Sequence, residues 1–261
     1  MEPRSDEVTL SVAGGVATLC LNRPAKRNAV TYDMWVALGE HSRRLADDPE
    51  VRVLVVRGAG GHFCAGADIA GLQAADHSYG EANLEAETAL IEFPKPTIAL
   101  IQGACVGGGV QIATSCDLRI ADRTARFGIT PARLGIIYPA PALTRVVKII
   151  GPSAAKHLLY SAEIIEADRA LRIGLIDELH DPAEALTRLG AFVTLLAEER
   201  SPLTQQASKA MIDAVVTDGR VGDACVTRWA EELGASDDQR EGVAAFLERR
   251  SPHFTWAPRQ T

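Results

Sequence analysis

The chain has 261 residues, a formal charge of −7 and 47% hydrophobic residues. A chain of this length and composition can bury a substantial core, which excludes disorder as the main state. The acidic balance argues against nonspecific binding to nucleic acid or to anionic membranes. The start, residues 1–7, is charged and lacks an apolar signal segment, and the apolar runs 53–56 and 98–101 are far shorter than a membrane span. We therefore expect a soluble cytoplasmic protein with no membrane and no nucleic-acid partner.

The cysteines do not form a pattern that predicts disulfides or a metal site. They are Cys20, Cys64, Cys105, Cys116 and Cys225. The number is odd and no pair has C-x-x-C spacing, which disfavours a disulfide framework or a structural zinc site. No other cluster of metal ligands is visible, so we expect no metal. With no histidine placed to activate a thiol, Cys64 and Cys105 are interpreted as small packing residues.

Hydrophobic periodicity predicts alternating strands and helices over the first 120 residues and mostly helices after Pro152. The predicted strands are 8–12, 16–21, 51–57, 97–101 and 117–121, the first two forming a hairpin. The predicted helices are 32–47 with Thr31 as N-cap, 81–92, 110–116, 152–160, 167–172, 182–199, 203–216, 221–233 and 240–249. This order predicts an α/β protein with strands buried on both faces, and Ser201-Pro202 is the best boundary candidate.

Two glycine-containing segments, 61–69 and 103–109, each follow a predicted strand. The second opens a helix, so its unpaired N–H groups and the helix dipole point toward whatever lies there. Such a site suits an oxyanion or a phosphate, whereas the alternative is a tight turn with close packing of helix and strand. Neither segment fits the dinucleotide-binding or P-loop patterns, so nucleotide binding of those kinds is disfavoured.

A set of motifs spread over nearly the whole chain carries a family resemblance. They are Leu21-Asn22-Arg23-Pro24, 27–29, 63–69, 103–109, Cys116-Asp117, Phe127-Gly128, Leu134-Gly135, Ala170 with Gly174-Leu175, and Glu241-Gly242 through Phe254. Together they resemble the crotonase superfamily, the enoyl-CoA hydratase/isomerase family. The resemblance implies a crotonase (ClpP/crotonase-like) α/β spiral of β-β-α turns over residues 1–200 and a C-terminal helical oligomerisation segment over residues 201–261.

The resemblance also implies a substrate and a set of contacts. The family binds acyl-CoA thioesters and holds a thioester enolate on two backbone N–H groups, which match Ala67 and Gly108 in this chain. Coenzyme A is then part of the substrate, and no separate cofactor is expected. The matching CoA contacts are Arg27, Ala29, Ala65, Asp68 and Ile69, with Asp68 interpreted as an acceptor that orders its loop.

The C-terminal segment of the family builds a homotrimer, often within a dimer of trimers. Arg250 and Phe254 match positions that can reach the CoA of a neighbouring subunit. The alternative for these two residues is a solvated charge and a packing aromatic ring.

Both glutamates that hydratases of the family use are replaced. The matching positions hold Gln111 and Pro131, and neither side chain can act as a general acid or base at neutral pH. Hydration of a double bond needs water to be activated and a proton to be delivered, and each role typically contributes about 10²–10⁴-fold. Ordinary hydratase chemistry through the usual residues is therefore in doubt.

The segment 130–138 is similar instead to the methylmalonyl-CoA decarboxylase branch, in which Thr and Tyr hydroxyls line the reacting centre. Thr130 and Tyr138 are the matching residues, although that branch has His and Glu where this chain has Ala67 and Gln111. Loss of CO2 forms an enolate without a general base, and Tyr138 or water would return the proton. Arg133 is a candidate partner for a substrate carboxylate, or alternatively forms a surface ion pair. Thr130 is alternatively a turn hydroxyl, and Tyr138 a core aromatic ring.

Other acids are available near the first glycine-containing segment. They are Asp76, Glu81, Glu85 and Glu87, together with His77. We expect the glutamates to form a solvated helix face rather than a catalytic group. Three hypotheses stay open: a lyase of the decarboxylase type, a hydratase or isomerase with relocated acids, and an acyl-CoA-binding protein without catalysis.

Overall fold

The computed structural model describes residues 6–69 and 77–258. Nine strands occur in these ranges: β1 (Val8–Ala13), β2 (Val16–Leu21), β3 (Val53–Gly58), β4 (Thr97–Ile101), β5 (Ala104–Val106), β6 (Leu118–Asp122), β7 (Arg126–Gly128), β8 (Ile165–Glu166) and β9 (Glu178–His180). The helices of the same ranges are α1 (Tyr32–Ala46), α2 (His77–Ile91), α3 (Gly108–Ser115), α4 (Pro131–Leu134), α5 (Ala140–Ser161), α6 (Ala167–Arg172), α7 (Pro182–Glu198), α8 (Pro202–Asp218), α9 (Asp223–Gly234) and α10 (Asp238–Glu248), with a short 3-10 turn at Pro24–Lys26.

The strands form two sheets that the chain visits in turn. The larger sheet has the order β1-β2-β3-β4-β6-β9, and all its pairs are parallel except the β1–β2 hairpin. The smaller sheet has the order β5-β7-β8, and a single bridge between Cys64 and Cys105 extends it. After β3, β4 and β6 the chain therefore crosses from the large sheet to the small one before it continues. This repeated crossing confirms the predicted α/β spiral.

The central strands of the large sheet are buried on both faces, as their apolar runs predict. Alternate residues of β4 point to opposite sides. Ile98 and Leu100 pack with Leu189 of α7, whereas Ala99 and Ile101 belong to the main core on the other face. The glycine-containing loops leave the sheet on this main-core side, so the core supports them.

A separate small cluster lies among the C-terminal helices. Leu203, Trp229 and Trp256 are its buried members, and the two indole rings lie 6.3 Å apart between centroids. Helix α8 begins at Pro202, after Ser201, whose hydroxyl accepts a hydrogen bond from Thr204 N at 3.1 Å. The predicted boundary at Ser201-Pro202 thus coincides with a helix start, while the division into a core and an oligomerisation segment stays a prediction.

Most predicted elements are confirmed, with differences at their ends. Thr31 caps α1 and accepts from Met34 N at 3.2 Å, as predicted. Gly151, with a φ of 73°, breaks α5 just before Pro152, so the part after the break agrees with the predicted helix 152–160, whereas the part from Ala140 to the break was not predicted. The short strands of the small sheet were not predicted. Within the described ranges, no helix has the length and apolar character needed to cross a bilayer.

Candidate active site

The first glycine-containing loop, 61–69, is held by backbone hydrogen bonds on both sides. Cys64 N donates to Ala104 O at 2.8 Å and so joins the loop to β5. Val30 N donates to Gly66 O, and Asp68 N donates to Val30 O, each at 2.8 Å. The N–H of Ala67, between these two bonded groups, has no acceptor among the described residues. The loop therefore presents one backbone donor.

The second loop, 103–109, turns from β5 into α3. Gly107 has a φ of 53° and a ψ of −108°, a conformation that residues with a side chain rarely adopt, and Gly107 N donates to Gly128 O at 2.9 Å. A Cβ atom at Gly109 would lie 2.4 Å from Cys64 O, so this glycine allows the close packing of the two loops. Gly108 is the first helical residue, and its N–H has no acceptor in the described part of the chain.

The two unpaired donors lie side by side. A Cβ atom built on Gly108 would be 3.4 Å from Ala67 N, and Gly108 is buried whereas Ala67 is partly exposed. Two N–H groups held in place before a ligand arrives are the arrangement that stabilises an oxyanion. The structure thus brings the predicted pair together. In the second loop Gly109 allows the close packing, and Gly108 supplies the unpaired N–H group.

The five residues predicted to contact CoA gather beside this pair. Ala65 N donates to Arg27 O at 2.9 Å, and Arg23 Nη1 donates to Ala29 O at 2.7 Å. The same Arg23 nitrogen lies 2.9 Å from Asp68 Oδ2, so the carboxylate orders its loop through an ion pair as well. Arg27 and Ile69 are exposed. The contacts with CoA themselves stay a prediction.

The two positions that lack the glutamates are both in the core. Gln111 lies on α3 three residues after Gly108, and hence on the same helix face. Pro131 begins α4 and is buried. Thr130 precedes it, is half-buried and makes no hydrogen bond to the helix end. Neither carboxylate nor imidazole occupies these positions, so an acid or base for catalysis must come from elsewhere.

The expectation of a fully solvated glutamate face on α2 is wrong for Glu87. Glu81 and Glu85 are exposed, but Glu87 is only 1% exposed. Its Oε2 makes an ion pair with Arg145 Nη2, and its Oε1 accepts from Asn83 Nδ2 at 2.9 Å. A buried charge needs such partners, and the sequence did not reveal that Arg145, far along the chain, supplies one. Asp76 and the side chain of His77 lie outside the described residues.

The cluster continues from Glu87 into the site. Asn83 Nδ2 also donates to Gln111 Oε1 at 3.3 Å. The Tyr138 hydroxyl is buried with no hydrogen-bond partner in the described part of the chain. Burial and the negative charge of Glu87 raise the pKa of Tyr138 above its ordinary value, so the phenol stays protonated at neutral pH. Asn83 was also missed, although its spacing of four residues from Glu87 places both on one helix face.

The surroundings of Arg133 differ from the expected ones, whereas those of Cys64 and Cys105 agree with the expectation. Arg133 is exposed, and no ion pair of its guanidinium occurs among the described residues, so the surface ion pair is not observed. The thiols of Cys64 and Cys105 are fully buried, which raises the pKa of Cys64 to about 12 and that of Cys105 well above its usual range. Both thiols therefore stay protonated and pack as small residues.

A cavity of about 1360 Å³ lies between the core and the C-terminal helices. Arg250 and Phe254 line it, whereas Ala67 and Gly108 do not. Arg250 pairs with Glu241 at 2.6 Å and with Glu248 at 2.7 Å, and the Phe254 ring lies against Gly242. Within one protomer these two residues do not join the oxyanion site, and their contact with a neighbouring subunit's CoA stays a prediction.

Fold and site together define the class. A two-sheet spiral with paired N–H donors at the start of a buried helix is the arrangement of the enoyl-CoA hydratase/isomerase family, whose sequence model matches residues 11–257. The chain belongs to this family.

Individual relatives agree with this assignment. The chain is 32% identical over 257 residues to a crotonyl-CoA hydratase of Syntrophomonas wolfei, covering 95% of this chain and 98% of that one. It is 33% identical over 258 residues to an (E)-benzylidenesuccinyl-CoA hydratase of Thauera aromatica, covering 96% and 99%. The crystal structure of a putative enoyl-CoA hydratase/isomerase family protein from Hyphomonas neptunium superposes with a TM-score of 0.90 at 33% identity, covering 98% and 100%.

Proposed function

We propose that this protein decarboxylates a 2-carboxyacyl-CoA thioester, one of the malonyl type, through an enolate held by the N–H groups of Ala67 and Gly108. One observation carries the proposal. The N–H groups of Ala67 and Gly108 have no acceptor among the described residues, while Gln111 and Pro131 hold the positions at which the family resemblance places the hydratase glutamates. The site can therefore stabilise an enolate but lacks the usual groups that add water to a double bond.

Decarboxylation forms the enolate without a base. The bond between Cα and the carboxylate carbon breaks, CO2 leaves, and the electron pair passes to Cα and onward to the thioester oxygen. Negative charge grows on that oxygen, where the two N–H donors of Ala67 and Gly108 lie ready. Removal of one donor of this kind costs about 10²–10³-fold in kcat.

The enolate then takes up a proton at Cα, which restores the thioester. Tyr138 is the candidate donor because its hydroxyl is buried, unpartnered among the described residues and protonated at neutral pH. The raised pKa makes the phenol a weak acid, but an enolate carbon is a strong base, so transfer is downhill. Water would then return the proton to Tyr138.

The name of one relative supports a substrate with a second carboxylate. The Thauera aromatica protein is named as a hydratase of a benzylidenesuccinyl ester, which is a dicarboxylic acyl group. Its similarity over 96% of this chain makes a carboxylated acyl group a reasonable substrate class for this protein as well.

A second candidate function is a hydratase or isomerase with a relocated acid. Glu87 favours it, because this buried carboxylate is connected to Gln111 through the side chain of Asn83. The contacts of Glu87 count against it, since Oε2 is engaged by Arg145 and Oε1 by Asn83, which leaves neither oxygen directed at a substrate. The relatives named as hydratases make this candidate worth a direct test.

The experiment is a substrate panel followed by mass spectrometry. Methylmalonyl-CoA and malonyl-CoA are incubated with the protein beside crotonyl-CoA and 3-hexenoyl-CoA. We expect CO2 with propionyl-CoA or acetyl-CoA, and a loss of at least about 10²-fold in the Tyr138→Phe variant. Hydration of crotonyl-CoA that depends on Glu87, without CO2 release, would establish the second candidate. Binding of all four esters with no product would indicate a binding protein.

The assembly is proposed from the same resemblance. We expect a homotrimer or a dimer of trimers, built by α8, α9 and α10, in the cytoplasm. Light scattering of the purified protein gives the mass directly. A monomer at micromolar concentration would contradict the proposed assembly.

A further inference from the structure

Glu87 is a buried carboxylate outside the oxyanion pair, and burying a carboxylate is costly unless other groups interact with it. Its side chain is enclosed on α2, and Arg145 reaches across from α5 to pair with it. Desolvation of a buried ion is costly and is offset only when partners satisfy its charge. Both oxygens of Glu87 act as acceptors here, Oε2 for the Arg145 guanidinium and Oε1 for Asn83 Nδ2.

This charge determines the orientation of two amide groups. Asn83 lies one turn before Glu87 on α2 and must turn its NH2 group toward the carboxylate, at 2.9 Å. The same NH2 group has a second hydrogen, which it donates to Gln111 Oε1 at 3.3 Å. If the Gln111 amide were turned over, two NH2 groups would face each other. Gln111 Oε1 is therefore held toward α2, and Gln111 Nε2 points away from α2.

The Gln111 nitrogen has no acceptor among the described residues, and it belongs to the helix face that carries Gly108. The position that holds a carboxylate in the family's hydratases thus presents a hydrogen-bond donor here. The enclosed Tyr138 hydroxyl, also unpartnered in the described part, is a second donor beside Glu87. Donors that lack acceptors in the protein favour a ligand group rich in acceptors.

We propose that Glu87 is a positioning residue that acts through Asn83 to present Gln111 Nε2 to the 2-carboxylate of the bound acyl group. Gln111 then recognises the carboxylated substrate class, and Glu87 maintains that recognition without touching substrate. The inference deepens the proposed decarboxylation and rests on it for the position of the carboxylate. Hydrogen bonds to charged groups are strong enough to change binding by about tenfold or more.

The test measures selectivity between two inert esters, 2-sulfopropionyl-CoA and butyryl-CoA, by calorimetry. The sulfonate imitates the carboxylate but is not lost as CO2. We expect the wild type to bind the sulfonate ester at least about tenfold more tightly than butyryl-CoA. In Glu87→Gln this ratio should fall to between about one and three, because a neutral amide at 87 no longer fixes Asn83. Glu87→Asp, which keeps the charge, should restore part of the ratio.

Two variants separate this role from a general effect on folding. Glu85→Gln removes an exposed carboxylate from the same helix, one that pairs with exposed Arg43, and should leave the ratio unchanged. Gln111→Met removes the donor while the Glu87–Arg145 pair stays in place, and should lower the ratio as Glu87→Gln does. If Glu87→Gln does not fold, as judged by circular dichroism, the Gln111→Met result decides.

An unchanged ratio in folded Glu87→Gln and Gln111→Met would overturn the inference, as would a wild type that does not distinguish the two esters. If the wild type releases CO2 but the selectivity does not depend on Glu87, the proposed decarboxylation is kept and the inference about Glu87 is rejected. Conversely, selectivity that depends on Glu87 in a protein that releases no CO2 would keep the inference and reject decarboxylation.

Discussion

The two halves of the candidate site are built from different kinds of groups. The oxyanion half consists of backbone N–H groups at Ala67 and Gly108, held by hydrogen bonds between loops and by glycines. The acyl half consists of side chains from α2, α3, α5 and the segment before α5. In the first half the residue type matters little as long as the backbone path is kept. In the second half each residue type determines which chemistry is available.

This difference explains how one fold can serve several reactions. Backbone donors are insensitive to most side-chain changes, so enolate stabilisation persists when the surrounding residues vary. Gln111 and Pro131, at the positions where the resemblance places glutamates, belong to the acyl half alone. The fold therefore indicates the class of intermediate, whereas the reaction has to be argued from the side chains.

The largest expected effect comes from breaking the oxyanion half alone. The ψ angle of Gly107, −108°, sets the direction of the Gly108 N–H, and this conformation is accessible only to glycine. In Gly107→Ala the new Cβ has room, because the nearest atom is Gly66 Cα at 3.9 Å, so the peptide can turn without unfolding the loop. We expect kcat to fall by about 10²–10³-fold, measured with whichever ester the substrate panel identifies.

A matched control is Gly219→Ala at the end of α8. Gly219 also has a positive φ, 75°, and its Cβ would meet no atom within 4 Å. Gly219→Ala carries backbone strain of about 1–2 kcal/mol, but Gly219 orients no donor toward the candidate site. Equal activities in the two variants would show that Gly108 N–H does not hold the oxyanion.

The next effect concerns the support of the first loop. Asn28 is fully buried with a φ of 58°, and its side chain donates to Ala59 O at 2.9 Å and His62 O at 2.6 Å. It also accepts from Arg23 N at 2.9 Å. Three lost hydrogen bonds, at about 1 kcal/mol each, predict that Asn28→Ala lowers the free energy of unfolding by about 2–4 kcal/mol in urea denaturation.

The exposed neighbour Asn22 provides the comparison for that measurement. Its side chain makes no hydrogen bond among the described residues, so Asn22→Ala should change stability by less than about 0.5 kcal/mol. A similar loss in both variants would mean that the loop is not held by the Asn28 side chain.

The backbone half of the site was predictable from sequence and the side-chain half was not. Glycines after a strand single out segments 61–69 and 103–109 from local pattern, and the helix that follows the second indicates unpaired N–H groups there, whereas the pair Ala67 and Gly108 is implied by the family resemblance. The α/β alternation followed from strand-length apolar runs in the same way. The glycine-containing segments and the strand–helix alternation both depend on residues that are close in sequence, so a local sequence pattern is enough to predict them.

The Glu87 cluster depends on contacts between distant segments. Glu87 and Arg145 are 58 positions apart, and only the packing of α5 across α2 makes them partners. The acid-rich composition of α2 correctly predicts exposure for Glu81 and Glu85 but not for Glu87, which is buried and pairs with Arg145 of α5. Burial of a charge is decided by which helix face meets the core, and that requires the tertiary structure.

The smallest expected effect is a change in the free energy of unfolding of a variant in the acyl half. The buried Tyr138 hydroxyl has no partner among the described residues, and an unsatisfied buried polar group costs about 1–3 kcal/mol. Tyr138→Phe removes this group and little volume, so the free energy of unfolding should rise by about 1 kcal/mol while the decarboxylation rate falls. If the hydroxyl stabilised the fold, Tyr138→Phe would instead lower the free energy of unfolding measured by urea denaturation. Opposite changes in rate and stability are therefore the result expected of a group kept for the reaction.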